Sequence, residues 1–187
     1  LGQRIPVWKS GWRLTPKGII AIVVAISVST VASVLTLRPG RLASGCGEVP
    51  PQVAKPDGVS VNLSIDDQKL ASGQPLRMVL ELRNAGRRLI DFSHGGQRYD
   101  FWIEGPGGRV WIWSDFVIHT GAEFQQYLRA ESLAPGETRR AEQTWRQTSC
   151  SGHALTLKPG RYVVRGAWIS SEVNDSWWSN QAEFEIR

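Results

Sequence analysis

Hydrophobic and polar residues alternate along most of the chain after residue 58, in short runs separated by turn residues. Val59, Val61, Leu63 and Ile65 alternate with polar residues, as they do in a strand that buries one face. The same reasoning predicts strands at residues 59–65, 76–83, 89–92, 99–104, 110–113, 138–147, 162–169 and 181–186. Because no long helical period intervenes, residues 59–187 are predicted to form an immunoglobulin-like antiparallel β-sandwich.

Turn residues separate these predicted strands. Residues 105–108 (GPGG) predict a hairpin turn, and the Pro-Gly pairs in residues 134–137 and 158–161 predict two further turns that each open a strand. Residues 116–128 have no clear period, which leaves open a helical turn or a loop that crosses between sheets.

A different pattern occupies residues 18–37, which contain no charged residue and no proline. Twenty helical residues rise about 30 Å, the thickness of the hydrocarbon core of a bilayer, so we expect a single transmembrane α-helix. A buried core helix and a cleaved signal peptide are the alternatives. The predicted organisation is therefore a basic head (1–17), the membrane helix (18–37), a Pro/Gly-rich stalk (38–58) and the sandwich (59–187).

Charge predicts the orientation of this helix. Four basic residues precede it and two follow it, so the positive-inside rule places the N-terminus in the cytoplasm and the sandwich outside the cell membrane. Trp8, Trp12 and Lys17 are predicted to anchor the helix at the membrane interface.

One face of the predicted membrane helix carries small residues at helical spacing: Gly18, Ala21, Ala25, Ser29, Ala32 and Thr36. Small residues allow another helix to approach closely, although they are also ordinary components of membrane helices. This face favours membrane protein subunits as partners.

Two cysteines, Cys46 and Cys150, lie on the predicted outer side. In an oxidising compartment such a pair normally forms a disulfide, which is our prediction. The alternative is that residues 42–46 (LASGC) form a lipobox and Cys46 is lipidated.

The net charge of +5 invites a nucleic-acid partner, but its distribution argues against one. The six basic residues at positions 4–41 account for the excess, and the remaining chain is nearly neutral. A cluster of Lys and Arg on the folded domain is therefore not expected, and nucleic-acid binding is not predicted.

No residue pattern predicts catalysis, a metal site or a cofactor. His94, His119 and His153 lack metal-ligand spacing, and no serine lies in a Gly-x-Ser-x-Gly motif. Asp100 and Glu104 share a strand face, which could pair two acids, but a solvated strand edge is the favoured interpretation.

The adjacent Trp177 and Trp178 suggest a partner contact. Neighbouring strand residues point to opposite faces, so we expect one indole to be exposed to a partner or a membrane surface, unless a bulge buries both.

The body also resembles the BsuPI-type intracellular proteinase inhibitor domain family. The residues that carry the resemblance are Tyr99-Asp100-Phe101, Val110-Trp111-Ile112-Trp113-Ser114, Leu133-Ala134-Pro135-Gly136-Glu137, Trp145 and Pro159-Gly160-Arg161-Tyr162. The resemblance implies a compact β-sandwich that in some members inhibits a protease, and it supplies no reactive-site residue. The membrane helix and the cysteine pair depart from the family pattern.

These observations predict a non-catalytic protein-interaction module, an accessory or structural subunit of a larger membrane complex. The alternative, which follows from the resemblance, is a membrane-tethered proteinase inhibitor with a protease as its partner.

Overall fold

The strands predicted from alternating side chains are present, and they form three sheets. The computed structural model describes residues 46–121, 123–124, 128–171 and 175–187. The chain divides at Gly40, and every described residue belongs to the unit Arg41–Arg187. The elements are β1 (Val59–Ile65), β2 (Lys69–Leu70), β3 (Leu76–Asn84), β4 (Ile90–His94), β5 (Tyr99–Gly105), β6 (Gly108–Ile112), α1 (Trp113–His119), β7 (Arg129–Leu133), β8 (Thr138–Trp145), β9 (Gly160–Ile169), β10 (Ser176–Trp178) and β11 (Ala182–Ile186).

The fold is mainly β, and its pairing is antiparallel with one exception. The first sheet has the strand order β1-β3-β8, and the second has the order β2-β11-β9-β5-β6 with β10 also paired to β9. A separate two-stranded sheet joins β4 to β7. The exception is β2, which runs parallel to β11.

The alternation in β3 places one face of the first sheet in the core. Leu76, Met78, Leu80 and Leu82 are fully buried, while the intervening residues include exposed Arg77 and Glu81. Burying such side chains contributes about 1.5–3 kcal/mol each. The same core receives side chains from the second sheet, so the two larger sheets share one hydrophobic interior.

The two sheets pack closely at Gly166 of β9. A Cβ atom there would lie 2.7 Å from Cδ1 of Leu80, so a larger residue would require Leu80 to move. Trp145 at the end of β8 fills the core nearby in the same cluster, and its indole Nε1 donates to the carbonyl of Thr148 at 2.8 Å. The predicted hairpin between β5 and β6 is also present, with Gly108 in the left-handed region at φ 101°.

Four elements differ from the sequence prediction. The predicted strand 110–113 ends at Ile112, and a short helix, α1, begins at the next residue and ends before most of the irregular stretch 116–128. The strands β2, β7 and β10 were not predicted, because each has only two to five residues and none shows a clear alternation of polar and apolar side chains. Such short strands depend on their neighbours for pairing.

The residues before β1 pack against the domain from Cys46 onward. The predicted disulfide joins Cys46 to Cys150, whose Cα atoms lie 5.5 Å apart. Further along, the amide of Val53 donates to the carbonyl of Ser176 at 3.0 Å, and the amide of Ser176 donates to the carbonyl of Pro51 at 2.9 Å. The described part of the predicted stalk is therefore attached to β10.

The predicted membrane segment, residues 18–37, lies outside the described residues. So do the predicted interface anchors Trp8, Trp12 and Lys17 and the small-residue helix face from Gly18 to Thr36. Within the part of the chain that the structure describes, no helix has the length and apolarity needed to cross a bilayer.

Candidate functional site

An open cleft lined by arginines lies between β7, β8 and the end of β9. Its volume is about 540 Å³. The lining residues, which we call the arginine cleft, are Arg98, Arg129, Ala130, Glu131, Arg139, Arg140 and Trp168. The expectation that no basic cluster lies on the folded domain was therefore wrong, because the pairing of strands distant in sequence gathers arginines that are dispersed along the chain.

Strand pairing explains how the floor of the cleft forms. In the antiparallel β4–β7 pair, His94 lies opposite Arg129, and Phe92 lies opposite Glu131. Residues two positions apart in a strand point to the same face, so all four side chains stand on one side of this small sheet. His94 is the last residue of β4, two residues beyond the end of the predicted strand, and is fully buried.

Glu131 occupies the centre of the cleft, and its side chain is only 10% exposed. Its Oε1 atom lies 3.1 Å from Nε2 of His94, 3.3 Å from Nη2 of Arg98 and 3.7 Å from Nε of Arg129. Its Oε2 atom accepts from Nη1 of Arg139. One carboxylate is thus shared by three guanidinium groups and an imidazole.

This environment keeps Glu131 ionised. Burial raises the pKa of its carboxyl group, but the hydrogen bond from His94 and the positive charges of Arg98 and Arg139 act in the opposite direction and together outweigh burial. The pKa of Glu131 is consequently lowered from its ordinary value of 4.5.

Arg139 has a structural role in the cleft. Its side chain is only 26% exposed, its Nε donates to Glu137 at 3.0 Å, and one Nη donates to the carbonyl of Ser132 at 2.5 Å. The guanidinium also lies over the ring of Phe92, 5.6 Å from its centroid. Arg139 therefore fixes the position of β7 against β8.

The other three arginines are more accessible. The side chains of Arg98, Arg129 and Arg140 are 42%, 53% and 54% exposed. Arg140 lies 3.6 Å from Glu142 and is opposite Glu81 in the β3–β8 pair. These guanidinium groups combine fixed positions with open access, which suits recognition of carboxylate or phosphate groups.

Comparison with known families identifies the domain. The model of the family BsuPI, described as an intracellular proteinase inhibitor, matches residues 63–173, more than half of the chain. The chain belongs to the BsuPI family. The family description names an inhibitor and not an enzyme. A search of curated proteins found no match.

Solved structures similar to this BsuPI domain come from unrelated settings. A β-glucosidase from Erythrobacter marinus is 14% identical with a TM-score of 0.39, covering 69% of this chain and 16% of its own. The sporulation control protein Spo0M from Bacillus subtilis is 9% identical with a TM-score of 0.41, covering 70% of this chain and 49% of its own. A CARDB domain from Pyrococcus furiosus is 12% identical with a TM-score of 0.36, and the match covers 69% of this chain and 94% of that domain. At these scores the likenesses support no functional inference.

The BsuPI region contains every residue of the arginine cleft, from Arg98 to Trp168. The cysteine pair does not lie wholly within it, since Cys46 precedes the match. One weak signal for the cleft was visible in the sequence, the adjacent Arg139 and Arg140, and no pattern connected them to Arg98 or Arg129.

The BsuPI domain buries Asp100, which corrects the favoured expectation of a solvated strand edge. Asp100 is 1% exposed and accepts hydrogen bonds from Ser114 Oγ at 2.6 Å and Ser114 N at 3.1 Å, at the start of α1. It also accepts from Phe101 N at 2.8 Å and Gln97 Nε2 at 3.0 Å. Burial raises its pKa to about 6, against the lowering effect of these bonds. Glu104 is only half-buried and lies beyond an irregularity in β5, and no described contact joins the two acids.

The adjacent Trp177 and Trp178 point to opposite sides of β10, but neither side chain is exposed at the surface. Trp177 is 4% exposed and packs against Phe92 in the main core, so its role as a partner contact is corrected. Trp178 is half-buried against Trp102, with ring centroids 4.8 Å apart, and its Nε1 donates to the carbonyl of Pro50 at 3.1 Å. Each indole finds partners because β10 lies between the main core and residues 46–57.

Among the described residues, no three His, Cys, Asp or Glu side chains are grouped closely enough to hold a metal ion. His153 instead contacts Ser151 Oγ through Nδ1 at 2.9 Å, and His119 contacts the carbonyl of Asp115 at 2.7 Å. The arginine cleft is therefore our candidate functional site.

Proposed function

We propose that this BsuPI domain is a proteinase inhibitor, which binds a proteinase as a protein ligand and performs no chemistry of its own. The observation that carries the proposal is the family match at residues 63–173, which spans the strands from β3 to β9 together with the arginine cleft.

A rigid surface beside the cleft supports this proposal. The turn between β7 and β8 is held by the buried Asn84, whose Nδ2 donates to the carbonyl of Leu133 at 2.9 Å and whose carbonyl accepts from Gly136 N at 2.7 Å. Leu128, just before β7, is 59% exposed and adds an apolar contact next to the cleft. Rigid surfaces favour binding because little conformational freedom is lost in the complex.

Three finer features belong to the same proposal. The shared core of the two larger sheets supports an immunoglobulin-like sandwich. The disulfide between Cys46 and Cys150 supports an oxidising, extracytoplasmic compartment. A membrane anchor at residues 18–37, with the N-terminus in the cytoplasm, stays a prediction from the sequence, as does the role of an accessory subunit in a membrane complex.

The test is an inhibition assay with the full chain against a panel of serine, cysteine, aspartic and metalloproteinases, each read with a fluorogenic substrate. We expect stoichiometric inhibition of at least one class. Mass spectrometry of the chain after incubation is the control, because an inhibitor survives intact whereas a mere substrate is cut. Full activity of every proteinase in the presence of excess chain would remove the proposal.

A further inference from the structure

The arginine cleft has more hydrogen-bond donors than acceptors. A guanidinium group carries five N–H donors, whereas a carboxylate offers about four acceptor positions. Glu131 already makes hydrogen bonds to His94 and Arg139 and ion pairs to Arg98 and Arg129, and Glu142 lies 3.6 Å from Arg140. Three accessible guanidinium groups thus share two carboxylates among the described residues, so they retain N–H groups that a ligand can use.

A buried indole adds a further donor to the same place. Trp168 lines the cleft and is 4% exposed, and its Nε1 has no hydrogen-bond partner among the described residues. Buried indole N–H groups normally find a hydrogen-bond partner. The arginine N–H groups are the donors that the open cleft presents, whereas the unpaired N–H of Trp168 is enclosed in its wall.

A ligand that carries several negatively charged acceptors is complementary to these donors. Carboxylate and phosphate groups both have this chemistry, and arginine forks bind either one through two parallel hydrogen bonds. A volume of about 540 Å³ far exceeds the roughly 30 Å³ that one water molecule occupies in the liquid. The cleft therefore accommodates several such groups and not one small ion alone.

The strands beside the cleft favour an extended polypeptide as the ligand that brings the negatively charged groups. Among the described strands, β8 pairs only with β3 and so has one unpaired edge. The strand β7 pairs only with β4, and side chains of Arg139 and Asn84 already donate to the carbonyls of Ser132 and Leu133, which leaves the part of β7 before Ser132 for a partner chain. Unpaired edges present backbone N–H and C=O groups to which an extended chain can add. The exposed Leu128 provides an apolar neighbour at the same location.

We propose that the arginine cleft binds an acidic, extended segment of a partner polypeptide, whose carboxylates pair with Arg98, Arg129 and Arg140. The inference rests on the proposed function only in taking the partner to be a protein. In that case the partner proteinase presents an acidic segment to this face of the domain.

The experiment is isothermal titration calorimetry of the full chain with a hexaglutamate peptide, at low and at high salt. We expect hexaglutamate to bind and hexaglutamine to bind much more weakly, and we expect the affinity for hexaglutamate to fall with salt because the contacts are ionic. The double variant Arg98→Gln/Arg129→Gln should weaken binding about tenfold or more.

The matched control is Arg161→Gln/Arg187→Gln, which removes the same charge at arginines whose side chains are 76% and 57% exposed and which do not line the cleft. It should change the affinity less than about twofold. Arg140→Gln is the second test variant, in case the double variant unfolds.

Three results would overturn the inference: equal binding of hexaglutamate and hexaglutamine, unchanged affinity in both cleft variants, or tighter binding of inorganic phosphate or a single-stranded oligonucleotide than of the peptide. No proteinase is present in this titration. Failure of the cleft inference is therefore distinguishable from failure of the inhibition assay.

Discussion

Two carboxyl groups in this domain, one buried and one half-buried, have opposite surroundings. Glu131 in the arginine cleft is surrounded by guanidinium groups, and its pKa is lowered. Asp100, where β5 meets α1, receives hydrogen bonds from a hydroxyl, a side-chain amide and backbone amides, and burial raises its pKa to about 6. Burial opposes ionisation at both sites, so the presence or absence of nearby cations decides the outcome.

The comparison separates a binding surface from a structural junction. Around Glu131 the excess of positive charge faces an open cleft, where a ligand can use it. Around Asp100, the hydrogen bonds from Gln97 and Ser114 hold these residues against β5. None of these three residues lines the cleft. Four perturbations, taken from the largest expected effect to the smallest, test this distinction.

Removing the disulfide should have the largest effect. The variant Cys46→Ala/Cys150→Ala opens a loop with a sequence separation of 104 residues, and we expect the free energy of unfolding to fall by about 4–5 kcal/mol in urea denaturation. Ile112 N donates to Cys150 Sγ at 3.0 Å, next to α1. Hydrogen exchange should therefore accelerate near Asp100 more than in β7 and β8, and equal acceleration in both regions would contradict the distinction.

Glu131→Ala should lower the free energy of unfolding of the domain by about 3 kcal/mol at pH 7, because it leaves His94 and Arg139 without their carboxylate. Urea denaturation measures this change. Glu131→Gln is the control, and it should cost less because the amide oxygen still accepts a hydrogen bond. A decrease in the free energy of unfolding of less than about 1 kcal/mol for the alanine variant would show that the carboxylate of Glu131 is not needed to hold the arginines together.

Asp100→Ala should lower the free energy of unfolding by about 2–3 kcal/mol at pH 5. Ser114 Oγ, Gln97 Nε2 and two backbone amides lose their hydrogen-bond acceptor inside the protein. Asp100→Asn retains one acceptor oxygen and should cost less. The readout is again urea denaturation, together with the peptide titration of the cleft. Reduced peptide binding in a folded Asp100 variant would show that the two regions are coupled.

The pH dependence should distinguish the two carboxyl groups by sign. Between pH 3.8 and about 6, folded Asp100 retains a proton that the unfolded chain has lost, so its contribution to stability falls as pH rises through this window. Glu131 behaves oppositely: the stability it contributes is present above pH 4.5 and is lost as pH falls through its lowered pKa.

Thermal unfolding of wild type, Asp100→Asn and Glu131→Gln from pH 3.5 to pH 7 measures both effects. The stability difference between wild type and Asp100→Asn should shrink by on the order of 2 kcal/mol from pH 4 to pH 7. The difference for Glu131→Gln should grow over the acidic part of that range. The same sign for both variants would show that their surroundings do not differ as described.

Much of the β fold was predictable because alternation is a local signal. The leucines and methionine of β3 repeat at every second position, which determines a strand with one buried face without knowledge of its neighbours. The turn at 105–108 is equally local, since Gly108 adopts a backbone conformation that other residues avoid. By contrast, β7 (RAESL) has no such pattern and exists because β4 pairs with it.

The candidate site was not predictable for the same physical reason. Arg98, Arg129 and Arg139 are separated by 10 to 41 residues in the chain, and a distribution of charge along the sequence does not reveal that they surround one carboxylate. Asp100 likewise occupies a strand position that looked polar and solvated. Its burial depends on donors that the tertiary structure supplies, above all Ser114 at the start of α1, which donates to it through both its hydroxyl and its amide.

The sequence by itself determined the strands with clear alternation, the turns between them, the pairing of the chain's two cysteines and the membership of the BsuPI family. The tertiary structure decided which arginines share Glu131, which carboxyl group has its pKa raised by burial, and where Trp177 and Trp178 lie. Periodicity and turn chemistry act between residues that are close in sequence. Burial and charge depend on distances in space, which strand pairing alone sets.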